Sequence, residues 1–164
     1  MITIREFKEF DFNSVKEIYQ QGIDTGNATF QEKAKSWLEW DNSMLSACRI
    51  VAVENNNVVG WAALSPISSR NVYSGVAEVS VYVANESLGK GIGRKLLTQL
   101  IKESEANSIW MLQAGIFPEN RASIALHEKC GFRILGVRDK LGKMKEVWRD
   151  VVLMERRSAI IGVN

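Results

Sequence analysis

The chain has 164 residues, 46% of them hydrophobic and 24% charged, with a formal net charge of +2 at pH 7. That size fits one domain, 1–164, with a full core; the small net charge leaves no electrostatic footprint for nucleic acid, and no apolar run approaches the length of a membrane span. Two cysteines, Cys48 and Cys130, make no disulfide framework, and with no signal-type run at the N-terminus the expectation is a cytoplasmic protein with reduced thiols.

Ile2–Phe7 alternates apolar and polar residues, the pattern of a half-buried strand. Asp11 is placed to cap a helix over Phe12–Gln21, where Phe12, Val15, Ile18 and Tyr19 recur at helical spacing. Gly22–Phe30 is polar and reads as a loop. Ala34, Trp37, Leu38, Met44 and Leu45 mark a second helical face, with Trp37 read as packing. Two short strands follow, Ile50–Glu54 and Val58–Leu64, and Asn55-Asn56-Asn57 suits the tight turn between them because Asn tolerates positive φ. Ser65–Gly75 is a long polar loop, of the kind that carries function in a compact domain.

Val76–Leu97, VAEVSVYVANESLGKGIGRKLL, is a strand, a glycine-rich turn and an amphipathic helix. Ala77, Val79, Val81 and Val83 share one strand face; Glu78, Ser80 and Tyr82 share the other. Gly89, Gly91 and Gly93 let the backbone bend and approach a ligand, and the helix that starts there aims free N–H groups into the turn, which suits a phosphate. The spacing is not the dinucleotide fingerprint, since Arg94 or Leu96 stands where a small residue is required, and Gly-Lys-Gly is not the end of a P-loop. Leu96, Leu97, Leu100 and Ile101 form the helix's apolar stripe. Ile109–Ile116 is a fifth strand and Arg121–Cys130 a helix closed by Gly131. Phe132–Val137 and Val147–Met154 are the last strands, joined as a hairpin through Arg138–Gly142, and the tail after Arg157 is expected to be loose. The order β-α-α-β-β-β-α-β-α-β-β gives an α+β layer on a mixed sheet.

Gly91 and Gly93 match the core of the Arg/Gln-x-x-Gly-x-Gly/Ala pyrophosphate loop of the GNAT superfamily of N-acetyltransferases, with Leu88 standing where Arg or Gln is usual. Asn120, Ser123, His127, Gly131 and Phe132 in PENRASIALHEKCGF match a second segment of that superfamily. The chain therefore resembles a GNAT acetyltransferase. Its NATF, AEVSVYV, ENRASIALHEKCGF and WRDVVLMER segments resemble the phosphinothricin and methionine sulfoximine N-acetyltransferase branch. The resemblance implies a mixed, mostly antiparallel sheet of about seven strands with four helices, the fourth and fifth strands splayed around acetyl-CoA. It also implies a homodimer and, as substrate, the α-amine of a small amino acid.

Acyl transfer to an amine needs a base, and Glu78 is the candidate, with a solvated or ion-paired strand residue as the alternative. The main chain of Val81, Tyr82 and Val83 would pair with the pantetheine arm and hold the oxyanion. Gly89, Lys90, Gly91, Ile92, Gly93 and Arg94 would hold the pyrophosphate, and Asn120 and Ser123 would bond the cofactor. His127 stands where the superfamily often has Tyr; it is read either as a proton donor to the leaving thiolate or as a hydrogen-bonding helix residue. Phe30, Ser68, Ser69, Arg70, Val79 and Ser80, with Glu78, are the substrate-side candidates, Arg70 as a carboxylate clasp. Cys130 reads as a packing thiol, and no cluster has metal-ligand spacing. Acetylation of another amine, or a non-catalytic acyl-CoA sensor, are the competing functions.

Overall fold

The structure, a computed structural model, describes residues 1–164. Its strands are β1 (Ile2–Glu6), β2 (Ile50–Glu54), β3 (Asn57–Pro66), β4 (Val76–Val83), β5 (Met111–Ile116), β6 (Arg133–Met144) and β7 (Val147–Arg157). Its helices are α1 (Phe12–Asp24), α2 (Trp37–Ser43), α3 (Ile92–Ala106) and α4 (Arg121–Lys129). One seven-stranded sheet runs β1-β2-β3-β4-β5-β7-β6. Every neighbouring pair is antiparallel except β4–β5, so the sheet is mixed in the way the sequence implied.

Both faces of the central strands are covered, which is why β3 is buried from Val59 to Leu64 without alternation. On one face Ala77 and Val79 pack against Ile92, Leu96, Leu97 and Leu100 of α3. On the other, Val15, Ile18 and Tyr19 of α1 meet Trp40 and Trp61, with Tyr82 packed at the edge of this cluster. The Trp61 and Tyr82 rings stack 5.0 Å apart at 14°, and Trp37 lies between Phe7, Phe12 and Trp40 as helix packing. The Asn turn forms as expected, with φ of +51° at Asn55 and +65° at Asn56.

Asp11 is the N-cap of α1 by position, as expected, and three other expectations fail. Asp11 does not cap α1 through its side chain; its carboxylate accepts two bonds from the Arg5 guanidinium, 2.8 and 2.9 Å, and one from the Lys8 N–H, 2.8 Å. Burial works against that charge, but Arg5 and the Lys8 N–H hold the carboxyl below its ordinary range. The helix also runs on through Gly22 to Asp24, because Ile23 completes its buried stripe. The last hairpin does not turn at Arg138–Gly142. It turns at Lys145 and Glu146, both at positive φ, and the earlier segment is a bulge inside a much longer β6. The tail is not loose: the Arg157 guanidinium donates to the carbonyls of Trp110, Ser158, Ile161 and Gly162, and Ser158 Oγ donates to Glu105 at 2.6 Å.

Candidate active site

β4 and β5 pair over three positions only, Val76–Met111, Ala77–Leu112 and Glu78–Gln113, and then part. The Ala84 N–H donates to the Val59 carbonyl at 2.8 Å, which fixes the alternation of the β3–β4 ladder. Ser80 and Tyr82 therefore direct their backbone groups to β3, while Val79, Val81 and Val83 direct theirs into the gap. Of the three main-chain candidates, Val81 and Val83 face the opening and Tyr82 does not. Tyr82 contributes its ring instead, with its hydroxyl pushed well above the ordinary range by burial and by the neighbouring Tyr19.

The gap opens onto a cavity of about 830 Å³. Its floor is the shared face of four strands: Glu78, Ser80 and Tyr82 of β4, Gln113 and Gly115 of β5, Val151 and Leu153 of β7, and Arg138 of β6. The segment after α1, including Asn27, Thr29 and Phe30, roofs it, and Asn120, Ser123 and His127 of the α4 end close one side. Glu78 is half-buried, and its Oε1 accepts a bond from Gln113 Nε2 at 3.1 Å. Glu78 has no ion-pair partner, so the alternative of a paired Glu78 does not hold. Phe30 lies edge-on to Phe117, 4.9 Å between centroids, and forms an apolar wall. Ser68, Ser69 and Arg70 do not reach this cavity: they lie on the loop after β3, and the Arg70 guanidinium rests over the Tyr73 ring at 5.4 Å.

The glycine turn is built for backbone exposure. Gly89 and Gly91 sit at φ +80° and +75°, and a Cβ at either would meet nothing within 4 Å, so the protein leaves the space open. Gly91 is the N-cap of α3, whose first N–H groups point outward into that space. Gly93 serves packing, since a Cβ there would lie 3.2 Å from Leu126 on α4. Ile92 is a core residue that offers only its backbone. Lys90 is paired with Glu54 at 3.0 Å, Arg94 is an exposed first-turn residue, and Leu88 is exposed at the usual Arg/Gln position. A phosphate is thus met by N–H groups first. Asn120 caps α4 through the Ser123 N–H at 3.2 Å and donates to the Asn27 carbonyl, tying the helix start to the cavity roof.

His127 is 4% exposed. Its Nδ1 is 2.7 Å from the Ser123 carbonyl, an acceptor only, so Nδ1 carries the proton and donates it. Nε2 is left as a bare acceptor, buried without a partner. Burial lowers the ring's pKa more than the Ser123 bond raises it, so the neutral form is favoured. Of the two readings of this residue, the resting geometry matches the hydrogen-bonding one; a proton donor at Nε2 needs a charge that the site disfavours. The unfolded ring takes up a proton near pH 6.5 and the folded one does not until lower pH. Stability should therefore fall as pH drops below about 6.5, and His127→Gln should flatten that slope in urea melts between pH 5 and 8. An unchanged slope would place the sensitivity elsewhere.

Gln113 and Gly115 were not singled out in the sequence. Their signal is positional: Gln113 is the parallel partner of Glu78, on the same face of the next strand. The family model described as the acetyltransferase (GNAT) family matches residues 12–132. The chain is 32% identical to the phosphinothricin N-acetyltransferase of Alcaligenes faecalis, over 94% of this chain and 81% of that protein. It is 31% identical to the L-methionine sulfoximine/L-methionine sulfone acetyltransferase of Salmonella typhimurium, over 94% and 93%. Among solved structures it superposes on a GNAT superfamily phosphinothricin acetyltransferase from Sinorhizobium meliloti in complex with AcCoA, with a TM-score of 0.89, 29% identity and coverage of 99% of this chain and 91% of that one.

Proposed function

The chain belongs to the acetyltransferase (GNAT) family, and from that premise we propose that it moves the acetyl group of acetyl-CoA to the α-amine of a small amino acid. The substrate type is that named for its relatives, phosphinothricin or methionine sulfoximine and sulfone. One observation carries the reading: β4 and β5 part just past Glu78 and Gln113, with the backbone of Val79, Val81 and Val83 turned into the opening. An extended amide-bearing chain fits there as an added strand, and the open glycine turn at the head of α3 suits its phosphates.

Acetyl-CoA supplies an activated thioester. The residues around it do the rest. Glu78, on the cavity floor, removes a proton from the substrate ammonium, directly or through water. Gln113 holds the Glu78 carboxylate in place through its 3.1 Å bond. The Val81 N–H donates to the oxyanion that forms when the amine attacks; a donor of that kind is worth about 3–4 kcal/mol in the transition state. With acetyl-CoA bound, departure of its thiol would leave one proton for the sulfur to take up. The ammonium gives up two protons in all, one balanced by the thiol and one passed to solvent. The His127 Nε2 lone pair, without a partner in the free chain, would accept a hydrogen bond from a bound ligand, and Asn120 and Ser123 would bond the cofactor. Phe30 and Ser80 wall the amine, and Val79, whose side chain packs against α3, offers the site only its main chain.

A homodimer belongs to this reading. The β6–β7 hairpin exposes Ile134, Leu135, Val137, Leu141, Val147 and Trp148, large apolar side chains that a second copy would cover. A cytoplasmic setting suits the two free cysteines. The test is thiol release from acetyl-CoA against a panel of amines. Release confined to amino acids supports the reading. Release with polyamines or peptide N-termini alone assigns another acceptor, and CoA binding without release makes the chain a sensor.

A further inference from the structure

The cavity has four charged residues in its lining: Glu78, Glu119, Arg121 and Arg138. Glu119 is paired with Arg149 at 3.4 Å. Arg121 is the first residue of α4, on the side assigned to the cofactor. That leaves Glu78 on β4 and Arg138 on β6, one free carboxylate and one free guanidinium on the same sheet face. The exposed Arg138 side chain makes no ion pair, hydrogen bond or ring contact within the chain, although Asp139 is its neighbour in sequence and Asp150 is on the paired strand β7. Asp150 is already engaged, accepting the Lys140 N–H at 2.8 Å.

Arg138 pairs with Val151 at the last regular step of the β6–β7 ladder, which puts it on the sheet face of Val151, and the bulge between Arg138 and Gly142 follows at once. Bulges re-aim side chains. This one is fixed on both sides, by Asp150 against Lys140, which sits at φ +48°, and by Gly142, where a Cβ would lie 2.8 Å from the Phe30 ring. The exposed arginine thus lines the far wall of the cavity with its head unpaired, on the same sheet face as the proposed base.

We infer that Arg138 selects the substrate by binding an anionic group carried several bonds from the amine that Glu78 receives. The inference rests on the acetyl-transfer reading for the role of Glu78. Spacing sets the chemistry. Glu78 and Arg138 are separated by three strand steps across the sheet, about 14 Å, and by roughly 13 Å along it. An ammonium and an α-carboxylate share one carbon and lie only roughly 2.5 Å apart. Even with the long arginine side chain leaning inward, the α-carboxylate is a poor bridge between them. A carboxylate or phosphinate at the end of the substrate's side chain is a better one, and it meets the planar guanidinium by paired hydrogen bonds.

The test compares the parent with Arg138→Met and Arg138→Lys. Each is saturated with CoA and titrated calorimetrically with glutamate, 2-aminoadipate, phosphinothricin and the neutral methionine sulfone, and thiol release is followed with the same set. In the parent the anionic amino acids should bind more tightly than the sulfone. Arg138→Met should reduce that preference by about tenfold or more, and Arg138→Lys should restore part of it, because a retained charge keeps attraction but not the paired geometry. An equal loss for anionic and neutral ligands, or no loss, overturns the inference, as does a parent that acetylates amino acids without preferring acidic ones. A parent that binds acidic amino acids through Arg138 and releases no thiol upholds the inference and sinks the acetyl-transfer reading instead.

Discussion

Glu78→Gln should lower kcat by roughly a hundredfold or more, the usual weight of a positioned base. It should leave the dissociation constant of acetyl-CoA within about twofold, because the lost interaction belongs to the transition state and not to cofactor binding. The change is nearly isosteric and keeps the place of the side chain beside Gln113, whose amide donates to Oε1 at 3.1 Å. Only the ability to take a proton is removed. If the base acts on the free ammonium, the deficit should shrink as pH rises and more of the amine is already deprotonated. Stopped assays of thiol release from pH 7 to 10 read both effects. A variant as fast as the parent at pH 7 would remove Glu78 from the chemistry.

Gly91→Val should weaken acetyl-CoA binding by about tenfold or more, measured by calorimetry. Two physical costs act together. Gly91 sits at φ +75°, where an L side chain is strained by about 1–2 kcal/mol, and a β-branched one worse. The valine methyls would also occupy space that the protein leaves empty to 4 Å and that the reading gives to phosphate. Each 1.4 kcal/mol is tenfold in affinity. Gly93 offers a contrast, since its Cβ would press on Leu126 at 3.2 Å, so its substitution disturbs helix packing more than the anion cradle. Unaltered affinity in Gly91→Val would show that the turn does not hold the pyrophosphate.

Much of this architecture is legible in the chain because local pattern and tertiary burial agree. Val76–Val83 alternates, and the structure does place Ala77 and Val79 against α3 and Tyr82 against α1. Asn55 and Asn56 form their turn because their side chains tolerate positive φ. The parting of β4 from β5 followed from the family resemblance rather than from the residues, since nothing in AEVSVYV says which backbone groups lack partners. That is a property of the neighbouring strand.

Where local pattern misled, long-range contacts decided. The polar run Arg138–Gly142 looks like a hairpin turn and is a strand bulge, held by Asp150 and by Phe30, which is distant in sequence. The true turn, Lys145-Glu146, has no glycine or asparagine to announce it. The tail looked free because its anchor, Arg157, works through carbonyl groups that a sequence does not display. Glu78, Val79, Ser80 and Phe30 all line the cavity, while Arg70 rests on Tyr73 away from it and Gln113, Gly115 and Arg138 join from strands brought in by the sheet.

Amide hydrogen exchange at Val81 and Val83, with and without acetyl-CoA, tests the central claim most directly. These two N–H groups face an open gap in the free chain, and bound acetyl-CoA should slow their exchange strongly while the β3-paired amides of Ser80 and Tyr82 change little. Exchange at Val81 and Val83 that is already slow in the free chain, or unmoved by saturating acetyl-CoA, would contradict the account.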